Sequence, residues 1–189
     1  MAKATRILAA GSLAMIVLGS LNGTAEAQNL TLTVRLRNDA RAPNPHVAAA
    51  QKQVTRIYAD AGIDIVWVAS GARITVALLS REQADLMHQM KDVMGYAPAS
   101  GTEGGRLAYV LNYRVDEVSA GYRSAKTIVL GAALAHEMGH LLLPPKPHSP
   151  SGLMRKKWGQ SDFRDASRGE LLFTPEQARA MREGLESGR

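Results

Sequence analysis

Ala135-His136-Glu137-Met138-Gly139-His140 is the stretch on which the chain turns. It runs on through Leu141-Leu142-Leu143-Pro144-Pro145-Lys146-Pro147-His148. It contains H-E-x-x-H, and that spacing has a mechanical meaning. On a helix, residues four apart share one face and lie about 6 Å apart along the axis. Imidazoles at 136 and 140 can therefore converge on one metal ion at roughly 2 Å each. Glu137 stands one position round from the first histidine. There it flanks the metal rather than filling its coordination sphere, and it can take a proton from water held by the metal.

The flanks sharpen this reading. From Thr127 to Leu143 the chain is apolar almost all round outside the motif, which predicts a buried helix. Two histidines and a carboxylate in such a helix are costly unless something satisfies them, and a metal does so. Three of the five histidines fall between His136 and His148. The competing reading makes His136 and His140 hydrogen-bonded core histidines and Glu137 a paired core acid. His46 and His88 are isolated and read as surface or core residues rather than ligands.

The N-terminus has the layout of a secretory signal peptide. Lys3 and Arg6 form a basic start, Ile7 to Leu21 an apolar run, and Ala25-Glu26-Ala27 a cleavage site. The expected mature chain is 28–189, one catalytic domain with a core of its own. The expected location is extracytoplasmic, secreted or periplasmic, with no membrane insertion once the signal is cut. With no cysteine there are no disulfides, so the core alone must hold the fold. Without Lys3, Arg6 and Glu26 the chain keeps 21 basic and 16 acidic residues. That charge suits anionic envelope polymers or acidic substrates as well as plain solubility. Aromatic residues are few and not interleaved with basic ones, which argues against nucleic acid as a partner. The protein is expected to be a monomer.

Leu30 to Arg37 alternates apolar and polar residues and predicts a half-buried strand. His46 to Ala61 has helical spacing and is closed by Gly62. Strands are predicted over 63–68 and 74–79, followed by a short helix over 81–93. Gly95 to Gly105 reads as a loop, Arg106 to Tyr113 as a strand and Val115 to Arg123 as irregular. Ser124 or Thr127 is available to cap the motif helix, and Pro144 stops it. Arg155 to Gly169 reads as a polar, basic stretch anchored by Trp158 and Phe163. Thr174-Pro175-Glu176 opens a last helix that reaches about Glu186.

From His136 to Met154 the sequence resembles the metzincin zinc peptidases. Their pattern is H-E-x-x-H-x-x-G-x-x-H followed by a turn with a methionine beneath the metal. The pairs His148-Ser149 and Leu153-Met154 look most like the matrixin branch. The resemblance implies an α+β zincin fold: a mixed sheet with a backing helix and an active-site helix, and a small C-terminal subdomain ending in a helix. It implies one catalytic Zn2+ ion. Two positions depart from the pattern. Leu143 stands where the family has glycine, and Lys146 stands where it has the third histidine. A longer link carries the ligand role to His148. Met154 takes the place of the family methionine. Lys156 occupies a position where some members have an oxyanion-stabilising tyrosine, so no side chain is assigned that role.

The third ligand has three candidates: Lys146, His148, or a downstream acid among Asp162, Asp165 and Glu170. Lysine is not a usual zinc ligand, and the acids lie in a stretch without clear helical period. Five residues from Pro144 to His148 can span about 16 Å, ample to turn back to the metal. The reading is a secreted zinc metalloendopeptidase acting on polypeptides. His136, His140 and His148 are its metal ligands, and Glu137 is the general base acting on zinc-bound water. The alternatives are a zinc-binding adhesion or cell-wall module without turnover, and a zinc amidase on a non-peptide or peptidoglycan bond. The strand near 106–113, or one near Gly95, can pair with an extended substrate.

Overall fold

A computed structural model describes residues 30–87, 93–98, 106–145 and 147–188. The signal-peptide reading of 1–27, and the readings of His88 and Lys146, lie outside the described residues. Strand β1 (Leu30–Asn38) carries the predicted alternation, with Leu32 and Val34 fully buried. Helix α1 (Asn44–Asp60) follows and ends at Ala61, and Gly62 takes a positive φ of 76° that β-carbon-bearing residues avoid. Strands β2 (Ile63–Trp67) and β3 (Ile74–Leu79) lie parallel to β1 on either side of it. β2 pairs with the first half of β1 and β3 with the second.

Helix α2 (Arg81–Leu86) is opened by a capping box between Ser80 and Gln83. It is shorter than predicted as far as the described residues run. Among the described residues, strands β4 (Gly95–Tyr96) and β5 (Leu107–Leu111) complete a five-stranded sheet of order β2-β1-β3-β5-β4, in which only the β4–β5 pair is antiparallel. β4 corrects the loop reading of 95–105 at its first two residues and stands where a strand near Gly95 is expected for substrate pairing. Two residues carry no periodicity.

Helix α3 (Asn112–Tyr122) occupies most of the stretch read as irregular. Its sequence gives weak local signals: Ser119 and Gly121 are poor helix formers, and β-branched Val115 and Val118 add little propensity. Packing against helix α4 (Lys126–Leu142) supplies what propensity does not. α4 begins after Ala125 with no side-chain cap, so neither Ser124 nor Thr127 serves as one. Every residue from Val129 to Gly139 is buried. The cause is visible in the sequence: Gly131, Ala132, Ala133, Ala135 and Gly139 are small enough to let neighbours approach from all sides. A β-carbon on Gly139 would lie 2.6 Å from Met154 Sδ and 2.9 Å from a ring carbon of Phe173. Tyr58 of α1 donates its hydroxyl to the Ala135 carbonyl at 3.1 Å, tying the backing helix to the motif helix.

The sheet face that carries Leu32, Val34, Val76, Leu78 and Val110 joins α1 and α4 in the main core. The opposite face keeps a small cluster of Ala77, Leu79 and Leu111 with Ala84 of α2. Beyond α4 the chain forms a loop, then helix α5 (Gln160–Arg168), then helix α6 (Pro175–Glu186). α5 corrects the reading of 155–169 as lacking helical period. Its apolar contribution is only Phe163 and Ala166, too sparse for a stripe, yet both are buried. α6 matches its prediction: Thr174 is the N-cap of a full capping box with Gln177. No helix among the described residues is long and apolar enough to cross a membrane.

Candidate metal centre

The helical spacing of His136 and His140 does what it predicts: their Nε2 atoms lie 3.1 Å apart. Two nitrogens bound tetrahedrally at about 2.0–2.1 Å from zinc would lie about 3.3 Å apart, so the pair is close to ligand geometry. His148 arrives from the loop after α4. The ligand atoms of His136, His140 and His148 all lie within 4.8 Å of one another, and they form the one cluster of metal-ligating side chains among the described residues. His148 is exposed, so its ring has room to swing the remaining distance.

The histidines are held from behind. His136 Nδ1 is 2.8 Å from the Leu153 carbonyl, so it carries the proton and leaves the Nε2 lone pair facing the site. The same carbonyl accepts from Trp158 Nε1 at 3.1 Å, while the Leu153 N–H donates to the Leu172 carbonyl at 2.7 Å. The loop that carries His148 is pinned by Gln177. Its side-chain amide donates to the Pro147 carbonyl at 3.0 Å and to Ser149 Oγ at 3.1 Å, the residues either side of the histidine. Met154 is fully buried beneath Gly139, between the two motif histidines along the helix.

Burial sets the charge state. It is the main cause pushing the His136 imidazole down to about 4, with His148 adding to it and the Leu153 hydrogen bond opposing it. His140 also falls to about 4, through burial and then its two histidine neighbours. His148 is lowered by burial and by the nearby Lys156 ammonium. Three neutral imidazoles at neutral pH make a donor set suited to zinc. Burial drives Glu137 the other way, up to about 8.

The downstream acids are engaged elsewhere. Asp162 accepts from Arg155 at 3.1 Å and from the Gly159 N–H at 2.7 Å, opening α5. Asp165 and Glu170 both pair with Arg168. His46 lies at the start of α1, outside the cluster.

Glu137 lies against Gly95 of β4. A β-carbon on Gly95 would stand 2.5–2.6 Å from Glu137 Cγ, Cδ and Oε1. Only a bare backbone fits there, so Gly95→Ala must displace either the carboxylate or the strand. We expect Gly95→Ala to lower any hydrolytic turnover at least tenfold while zinc affinity stays near wild type, because no ligand is touched. Paired turnover and zinc titrations check this, and an undiminished rate would separate Glu137 from the chemistry.

The centre opens into a cleft of about 530 Å3 between β4, α3, α4 and the 155–163 segment. Sequence reasoning missed several of its parts. The Leu153 carbonyl is backbone and leaves no mark in a sequence. Gln177 carries no signal in the sequence that would link it to the His148 loop. Gly95 read as a loop start or a substrate-pairing strand but not as a neighbour of Glu137, and the cleft-lining face of α3 lay in a stretch read as irregular.

No protein-family model matches the chain, and no curated protein sequence matches it. Among solved structures, it is similar to the archaemetzincin of Methanopyrus kandleri. That match has a TM-score of 0.50 and 12% identity, covering 86% of this chain and 99% of that one. A Thermotoga maritima protein solved in solution matches with a TM-score of 0.39 and 8% identity, over 82% of this chain and 93% of that one. At 12% identity the archaemetzincin likeness is one of architecture: the chain has a zincin-like, metallopeptidase-like fold, with three histidines placed where they could bind a metal.

Proposed function

We propose that the chain is an exported zinc-dependent metalloendopeptidase. The observation that carries the reading is the convergence of His136, His140 and His148 beside a buried Glu137, at the mouth of a cleft bordered by a sheet edge. The three histidines would hold the metal. When bound, zinc supplies Lewis acidity that polarises the scissile carbonyl and makes water nucleophilic at neutral pH. With the charge of a bound metal favouring its ionised form, Glu137 would take the proton from the attacking water on a carboxylate oxygen and pass it to the leaving amine. Met154 fills the floor under the histidines, the place of the methionine in the matrixin-like segment.

The two candidate strands for substrate pairing are not equivalent. β5 is flanked on both sides by β3 and β4, so its hydrogen-bonding groups face other strands. Among the described residues β4 pairs on one side only, and it touches Glu137 through Gly95, which makes it the strand on which an extended peptide would align.

A peptide-library digest by zinc-loaded protein tests the activity. The expected result is cleavage that stops on chelation and returns with zinc. A protein that binds zinc and cleaves nothing would instead be the binding module, and cleavage confined to non-peptide amides would make it an amidase. Export is tested by intact mass: the exported chain is expected to begin at Gln28, and a mass retaining 1–27 contradicts it.

A further inference from the structure

The cleft is unbalanced in charge. Arg114, Arg155, Lys156 and Lys157 line it, and the one carboxylate among its described lining residues is Glu137. Arg155 is paired with Asp162, which leaves the two lysines exposed at the rim with no carboxylate partner among the described residues. Arg114 is different because it is set into the wall. Arg114, Val118 and Tyr122 fall four residues apart on α3 and all line the cleft, so one face of that helix runs along it with the guanidinium in the first turn.

The Arg114 guanidinium has only a shared carboxylate for a partner. Its Nη1 bonds to Glu117 Oε2 at 2.7 Å, but the other oxygen of that carboxylate accepts from Arg81 at 2.6 Å. Two guanidiniums share the Glu117 carboxylate, and Glu82 also acts on Arg81 but not on Arg114, so Arg114 holds one oxygen of a shared carboxylate. Arg114 Nε is also buried without a hydrogen-bond partner among the described residues. Its side chain is only 30% exposed. A part-buried guanidinium with an unpartnered Nε favours an incoming anion that matches its fork, and a carboxylate does.

Building on the peptidase reading, we propose that the cleft selects substrates presenting a carboxylate close to the bond to be cut, with Arg114 as the group that receives it. Lys156 and Lys157 at the rim attract the same charge during approach. The carboxylate has two sources, an acidic side chain or the free C-terminus of a peptide, and the chemistry at Arg114 is the same for both.

The test uses two sets of N-blocked hexapeptides. In the first, C-termini are amidated and a single position is Glu, Gln or Lys. In the second, all side chains are neutral and the C-terminus is free or amidated. For zinc-loaded protein, kcat/KM for the carboxylate-bearing member of at least one set is expected to exceed its amide counterpart by tenfold or more. The set that shows the preference identifies the source. Arg114→Gln should bring that ratio close to one, and Arg114→Lys should keep part of it. Arg81 still satisfies Glu117 in both variants, which protects the fold of α3. Calorimetric titration of the same peptides into metal-free protein gives a reading independent of turnover: carboxylate-bearing peptides should bind at least fivefold tighter, with the advantage shrinking at high salt. Tighter carboxylate binding without cleavage supports the selection and overturns the peptidase reading. Cleavage with amide or Lys peptides preferred, or a ratio unmoved in Arg114→Gln, overturns the selection and leaves the peptidase reading standing. Neither binding nor cleavage overturns both.

Discussion

Replacing His148 by alanine is expected to weaken zinc binding by well over a hundredfold. Loss of an outer partner of a metal ligand costs about 10–100-fold, and loss of a ligand itself costs more. The three imidazoles are neutral near pH 7 and lie within 4.8 Å of one another, so on the proposed reading His148 would be the donor that turns a pair into a site. Lys146→Ala should leave the affinity nearly unchanged. Asp162→Ala should do so too, but for a reason the fold supplies. Asp162 is buried, pairs with Arg155 and accepts the Gly159 N–H that opens α5. Its loss should cost about 1–3 kcal/mol of stability without touching the metal. Zinc titrations and melts of the three variants separate these outcomes. Wild-type affinity in His148→Ala would discard the three-histidine centre.

Glu137→Gln should lower turnover by roughly a hundredfold or more with zinc retained, since shape is kept and basicity removed. Full activity would eliminate Glu137 as base, and loss of zinc would mean that the site is misassigned. The same variant carries a prediction about the metal-free protein. Burial raises Glu137 to about 8, against about 4.5 when unfolded. Folding therefore favours the protonated acid. The stability it contributes is full below pH 4.5 and is lost as pH rises towards 8. Between pH 5 and 8, metal-free wild type should lose roughly 3–5 kcal/mol relative to Glu137→Gln, which has no proton to lose. Melts of both proteins in chelator at the two pH values read this difference. Parallel pH dependence would show that Glu137 is not desolvated.

The motif helix was legible because several kinds of signal agreed over 127–143: an apolar run, a four-residue histidine spacing and a terminating proline. The helix observed is Lys126–Leu142. α6 was legible from Thr174 and Pro175 because helix-start chemistry is local, and the structure adds Gln177 as the partner in the capping box. α3 and α5 were not, because their stability comes from surfaces presented by α4, and a reading of neighbours along the chain does not see those. The same division runs through the site. His136 and His140 are set by helix geometry alone, whereas His148 depends on Gln177 from a distant helix gripping its loop. Gly95 reaches Glu137 only because β4 closes the sheet edge over α4.

The most direct test of the three-histidine centre is X-ray absorption at the zinc edge of the zinc-loaded protein. The expected spectrum has three imidazole ligands and no fourth protein ligand, the open coordination that catalysis needs. Two imidazoles, or a site closed by a fourth protein donor, would contradict it.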